Sequence, residues 1–403
     1  MIDEIRDGKM ISERVQRIRP SKTIEITNRV AELKQEGRKL IGFNVGEPDF
    51  STPEHICQAA EEAMRQGFMR YTPVMGILEL REAISGKLEK ENHVRYSADE
   101  ITIGAGAKQC ILAALLAVVS PGDEVIIPYP CWVSYPELVK LTDGEPVMVP
   151  CREDFSLDIS AVRNAVTERT KAVMINTPNN PTGAVYDRES LEELAALAVE
   201  HDFYIISDEV YEKFVYGDRS HVSPASFSEE AKKHTILING MSKTYAMTGW
   251  RIGYVAADRE IIRAVNVLQG QMLSCVQSLS QKAAVAALTG TQEPLQNMIR
   301  EFESRRDYMR ERLNRMQGIS CKEAMGAFYL LADVRECYGK RAGAVMIQDD
   351  GQMAKYLLEE AGIAVVPGNA FFAPGYLRFS YSNSMDQIQK GMDQMEQALL
   401  KLS

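Results

Sequence analysis

The chain predicts an α/β fold: a large domain with a mainly parallel seven-stranded sheet between helices, and a smaller α+β domain beside it. Three observations carry this. Apolar, β-branched runs alternate with helical patterns from about residue 100 to 256, which implies a parallel sheet covered on both faces. Residues from about 295 onward change character, with a long charged helical stretch followed by isolated strand-like pieces. Finally, 403 residues exceed one simple core and fit one large domain plus a smaller one.

In chain order, residues 1–45 form an N-terminal segment that joins the smaller unit, 46–295 the large domain and 296–403 the small one. Candidate strands of the large sheet are Glu100–Ile103, Glu124–Ile127, Pro146–Val149, Lys171–Ile175, Phe203–Ser207, Thr235–Asn239 and Arg251–Ala256. Between them, Lys108–Val119 and Arg188–His201 repeat apolar residues at three- and four-residue spacing, the period of a helix. The small unit opens on a charged helix, Met298–Met316, and continues with strands near Phe328–Ala332, Ile363–Val366 and Leu377–Tyr381. Gly339–Gly351 is short, polar and glycine-containing, and is expected to be a mobile surface loop.

Composition narrows the function. At 45% hydrophobic and 25% charged, the chain is an ordinary globular protein. A net charge of −10 and the lack of a basic run with interleaved aromatics argue against nucleic acid, although a pocket's local field can still favour an anion. The longest apolar run, Ile111 to Val119, is too short to cross a membrane. Met1–Asp7 carries acids and no apolar stretch of the secretory kind. Seven cysteines without a C-x-x-C pair suit reduced thiols in a cytoplasm and argue against a metal cluster.

Ligands of such sheets sit beyond the carboxyl ends of the strands, so the residues just after each strand matter most. After Ile103 comes Gly104-Ala105-Gly106-Ala107-Lys108, a small-residue turn opening a helix, either a plain connection or a phosphate cradle of free N–H groups. After Ile127 comes Trp132 in a proline-bounded loop, readable as core packing or as an aromatic plate over a planar ring. After Ile175, two prolines fence Asn179-Asn180, which is turn chemistry or a stiffly held donor. After Ser207 comes Asp208, a helix cap or a carboxylate awaiting a cationic partner such as a protonated pyridine nitrogen. Tyr211 follows three residues later, within reach of a ring oxygen. Lys243 stands where the strand Ile236–Asn239 has ended, with Arg251 eight residues on. An amine to bond the aldehyde and a guanidinium to clamp the phosphate are what pyridoxal 5'-phosphate requires.

Five strand ends in this order resemble the class I (fold-type I) pyridoxal-phosphate-dependent aminotransferases from near residue 15 to near 395. The resemblance rests on Gly46-Glu47-Pro48-Asp49-Phe50, Tyr71 with Gly76-Ile77-Leu78-Glu79-Leu80-Arg81, and Asn179-Asn180-Pro181-Thr182-Gly183. It continues through Asp208-Glu209-Val210-Tyr211, Ser242-Lys243, Gly249-Trp250-Arg251-Ile252-Gly253 and Leu377-Arg378-Phe379-Ser380. It implies that Lys243 holds the cofactor covalently and, once released, moves the substrate's α-proton. It further implies that Asp208 pairs with the pyridine nitrogen, that Tyr211 and Asn180 bond the phenolic oxygen, and that Trp132 stacks on the ring. Arg251, the amides of Gly106, Ala107 and Lys108, and Ser242 would hold the phosphate. Where many relatives carry a phosphate-binding serine three residues before the lysine, this chain has Gly240. Tyr71 would come from the neighbouring subunit of a homodimer. Arg378 would grip the substrate's α-carboxylate, with Gly46, Trp132 and Asn180 around it; the other reading of Arg378 is a strand-edge salt bridge.

The implied reaction is ping-pong transfer of an amino group between an amino acid and a 2-oxo acid. The segment Arg17-Ile18-Arg19-Pro20-Ser21-Lys22-Thr23 resembles the entry segment of bacterial aspartate aminotransferases of the aspartate/prephenate subgroup. That similarity implies a distal carboxylate held by Thr23 and Lys108, 2-oxoglutarate as acceptor, and prephenate as a second acceptor through Arg19. Lys108 is otherwise an odd residue to open a helix, because its charge opposes the dipole. Alanine- or aromatic-preferring aminotransferases and a pyridoxal-phosphate β-lyase use the same core residues and stay open here.

Overall fold

The computed structural model describes residues 11–343 and 345–403. The expectation for Met1–Asp7, and Ala344 within the expected loop, lie outside the described residues. Among the described residues fifteen strands run β1 (Ile41–Gly42), β2 (Ile101–Gly104), β3 (Glu124–Tyr129), β4 (Glu145–Pro150), β5 (Thr170–Asn176), β6 (Tyr204–Asp208), β7 (Thr235–Gly240), β8 (Gly253–Ala256), β9 (Ser320–Cys321), β10 (Tyr329–Asp333), β11 (Arg341–Ala342), β12 (Val345–Met346), β13 (Ile363–Ala364), β14 (Val366–Pro367) and β15 (Tyr376–Ser380).

The large sheet has seven strands in the order β2-β8-β7-β6-β5-β3-β4. All are parallel except β8, which runs antiparallel to both β2 and β7. The apolar runs read as strands because both faces are covered. Val125, Ile127, Met174, Ile206 and Ile238 pack with helix Ala107–Val118 on one side. Ile126, Val173, Ile175 and Ile205 pack with helix Arg188–His201 on the other. That second helix starts where Asp187 accepts from Ser190 N and stops at Asp202, whose left-handed backbone cannot continue it.

The seven expected strands agree with those observed to within two residues; β8 begins at Gly253 rather than Arg251. Arg251 has φ +51°, outside extended geometry, so it cannot join the ladder.

A second, antiparallel sheet, β14-β15-β10-β9, packs under the charged helix Glu293–Arg315. β1 pairs in parallel with β13, and Phe43 bonds both Ala364 and Ser380, so the segment around residue 42 is laced into this unit. The expected loop Gly339–Gly351 is instead a tight hairpin. Gly339 N donates to Ile347 O, Ile347 N to Lys340 O, and β11 pairs with β12. Gly343, at φ +59°, makes the turn, and Asp349 caps a helix that starts at Asp350. Among the described residues no helix is long and apolar enough to cross a membrane, and all seven cysteines are free thiols.

Candidate active site

The carboxyl ends of the parallel strands open into one cavity of about 380 Å³, also lined by residues of β10, β15 and the N-terminal segment. Thr23, Gly46, Ala107, Lys108, Trp132, Asn180, Asp208, Tyr211, Ser242, Lys243, Arg251 and Arg378 all line it. Arg251 reaches this edge because β8 runs backwards: the residue before an antiparallel strand lies beside the residues after its parallel neighbours.

Lys243 lies in the short helix Met241–Thr244 that follows β7. Its Nζ donates to Gly46 O at 2.6 Å, and burial depresses its pKa to about 8. Asp208 ends β6, and no helix follows it, so the capping alternative falls away. Burial pushes its carboxyl up to about 6, opposed by the hydroxyl of Tyr135, which donates to Oδ2 at 2.6 Å. Val210 N donates to Oδ1 at 3.3 Å. Beyond these bonds the carboxylate has no cation within ion-pair distance among the described residues, which fits a protonated ring nitrogen.

The helix Ala107–Val118 begins at Gly106, whose φ is +86°. A side chain there would meet Arg251 Nη2 at 2.6 Å. The guanidinium therefore lies against the turn, held by Thr248 O at 2.9 Å, with the helix N-terminus and Ser242 nearby. Amides and a guanidinium converging on a helix start form an anion cradle that fits a phosphate. Gly240 has its own reason: a Cβ there would sit 3.0 Å from Ile252 O, because β7 and β8 approach closely.

Arg378 is only 2% exposed and lies in β15 between β14 and β10, so it is not at a strand edge and makes no salt bridge among the described residues. Nη2 donates to Asn44 O at 2.6 Å and Nη1 to Asn180 Oδ1 at 3.1 Å, while Nε is buried without a partner. Its guanidinium is sandwiched between the rings of Tyr329 (4.6 Å) and Phe371 (4.9 Å). Asn180 is held in turn by Asn176, whose Oδ1 accepts its N–H at 2.9 Å.

Trp132 meets Tyr135 edge-on at 5.3 Å and carries the Lys108 ammonium 4.7 Å above its ring. Burial, and then Arg251, lower the pKa of Lys108. Thr23 exchanges a 2.8 Å hydrogen bond with Ser21. Two expected residues lie apart. Arg19 is exposed, gives its backbone N–H to Glu137 and does not line the cavity. Tyr71 is 89% exposed and reaches no part of its own chain's cavity.

Sequence reasoning passed over Tyr135, Asn176, Asn44 and Tyr329. Each reads as core or turn until its polar atom is found aimed at a site group. The only available signal was position, since Asn176 and Tyr329 sit at strand termini.

Residues 38–395 match the family described as aminotransferase class I and II. The chain is 45% identical to a probable aspartate/prephenate aminotransferase of Aquifex aeolicus, over 97% of this chain and 99% of that one. It is 40% identical to the aspartate aminotransferase of Bacillus subtilis, over 98% and 100%. Its structure superposes on an aspartate aminotransferase from Thermus thermophilus solved with maleate, with a TM-score of 0.92, 40% identity and coverage of 97% and 100%.

Proposed function

Since this chain belongs to the class I and II aminotransferases, we propose that it transfers the amino group of L-aspartate to 2-oxoglutarate with pyridoxal 5'-phosphate bound at Lys243. One observation supports this above the rest. Lys108, Lys243, Arg251 and Arg378 line a single cavity, and none has a salt-bridge partner among the described residues of a protein with net charge −10. Against these four cations the lining sets the carboxylates of Glu47 and Asp208, and a cofactor phosphate with a dicarboxylic amino acid supplies three further anionic groups.

The cofactor, when bound, supplies an electron sink for the charge that develops at the amino acid's Cα. The protein's part follows from its geometry. Arg251 and the amides at Ala107 and Lys108 would hold the phosphate, and Asp208, kept anionic by Tyr135, would keep the ring nitrogen protonated. Tyr211 and Asn180 would offer hydrogen-bond donors to the ring oxygen, and Trp132 would pack against the ring. Arg378 fixes the α-carboxylate, which orients the Cα–H bond toward Lys243. With a pKa near 8, the Lys243 amine is neutral often enough at physiological pH to take that proton and return it. The donor leaves as a 2-oxo acid before the acceptor enters, and the acceptor runs the steps in reverse.

Lys108 and Thr23 take the distal carboxylate. The names of the relatives are consistent with aspartate, and that of the Aquifex relative with prephenate as a second acceptor. In the same reading residues 1–45 and 296–403 make a small lobe over the 46–295 lobe, and the active form is a cytoplasmic homodimer in which Tyr71 enters the partner's site.

Half-reaction spectra test the assignment. Aspartate should bleach the bound chromophore at far lower concentration than alanine or phenylalanine. Lys108→Ala should lower kcat/KM for aspartate by roughly ten- to a hundredfold, the loss of one charge-assisted bond, while sparing alanine. Equal losses for both would reject the distal site.

A further inference from the structure

Tyr329 opens β10, is fully buried, and lies on the cavity wall between the two halves of the site. In the β10–β15 ladder Leu331 stands opposite Arg378. Tyr329, two residues before Leu331, therefore shares a face with the arginine. Its ring centroid is 4.6 Å from the Arg378 guanidinium. Its hydroxyl is 2.8 Å from that of Tyr211, with the two rings nearly perpendicular at 5.7 Å. The same hydroxyl presses on Gly46, where a Cβ would come within 2.6 Å of it, and Gly46 O is the acceptor for Lys243 Nζ. One side chain thus touches the tyrosine at the cofactor oxygen, the carboxylate fork and the backbone that seats the lysine.

Two phenols at hydrogen-bond distance have two protons and one shared bond. If the Tyr211 proton is spent on an anionic ring oxygen, the proton in the shared bond must come from Tyr329. That polarises Tyr211 and makes it the stronger donor toward the cavity. We propose that Tyr329 is a positioning residue that orients the Tyr211 proton through its hydroxyl and the Arg378 fork through its ring. This rests on the cofactor reading given above.

The two contacts separate in two variants. Tyr329→Phe keeps the ring over Arg378 and removes the hydroxyl; Tyr329→Leu removes both. The measurement is a pH titration of the absorbance of the cofactor-loaded protein, paired with KM for aspartate. For Tyr329→Phe, a weaker Tyr211 donor stabilises the deprotonated chromophore less, so its spectroscopic pKa should rise by about half a unit to one unit, the size of one net hydrogen bond. KM should stay near that of the unaltered protein. Tyr329→Leu should raise the pKa equally and also raise KM about fivefold, from the lost cation–π contact. A Tyr329→Phe titration that coincides with that of the unaltered protein overturns the proposal, as does an equal rise in KM for both variants. An unaltered protein that shows no titrating chromophore would instead overturn the cofactor assignment, so the two failures are distinguishable.

Discussion

Asp208 and Lys243 pose the same physical problem with opposite signs. Asp208 is buried and Lys243 half-buried, and removal from water disfavours the charged form of each, raising the acid to about 6 and lowering the amine to about 8. In the cofactor-free protein the acid's shift is a cost to folding near neutral pH. An acid whose native pKa exceeds its unfolded value favours the folded state at low pH, and that advantage is lost as pH rises through about 6. Asp208→Asn should therefore make the cofactor-free protein more stable at pH 8, by up to about 3 kcal/mol, and the two denaturation curves should converge below about pH 4. Equal stability at pH 8 would mean that the carboxylate is better solvated than its burial indicates. The same substitution should weaken cofactor binding, since an amide cannot hold a ring nitrogen in its protonated form. The strand-end residues were legible because a lysine or carboxylate directly after an apolar run is costly unless it has a task. Tyr135 and Tyr329 were not, because a tyrosine in an apolar stretch looks the same whether or not its hydroxyl reaches a charged group.

At the scale of elements, the proposed phosphate cradle depends on two backbones that leave regular geometry together. Arg251 at φ +51° ends its turn before β8 begins, and Gly106 at φ +86° makes room for the guanidinium. Gly106→Ala adds both a backbone penalty and a steric one. It should cost about 1–3 kcal/mol of stability and weaken cofactor retention by tenfold or more, read as faster loss of absorbance during dialysis. Unchanged retention would place the anion elsewhere. Strand positions were legible because strands buried on both faces are continuous apolar runs. The direction of β8 was not, since polarity within a sheet is set by connections rather than by pattern. Nor was the hairpin at Gly339–Gly351, whose polar composition is also that of a loop. Its order comes from long-range bonds such as Arg341 N to Ser403 O, which local sequence does not announce.

At the scale of the molecule, an acidic protein concentrates cations at one cavity, so the site attracts anions that the surface as a whole repels. The segment carrying Tyr71 packs on the chain through Ser278 Oγ to Phe68 O and Gln281 Nε2 to Thr72 Oγ1. It leaves Met69 and Tyr71 largely exposed, while Val267 is exposed on a nearby helix whose Gly270 lies close to Val74. A shared dimer site makes a specific demand. Lys243→Ala and Tyr71→Ala subunits, each inactive alone, should regain about a quarter of full activity after random exchange, because a two-fold hybrid contains one intact site. No recovery from a mixture shown to contain hybrids would confine each site to one subunit.

The central claim is that the amine of Lys243 holds a vitamin B6 aldehyde, and borohydride reduction followed by peptide mapping tests it directly. The account predicts a yellow protein whose reduced pyridoxyl label is recovered on the peptide containing Lys243. A preparation that stays colourless and unlabelled with excess pyridoxal 5'-phosphate, or a label recovered on another lysine, would contradict it.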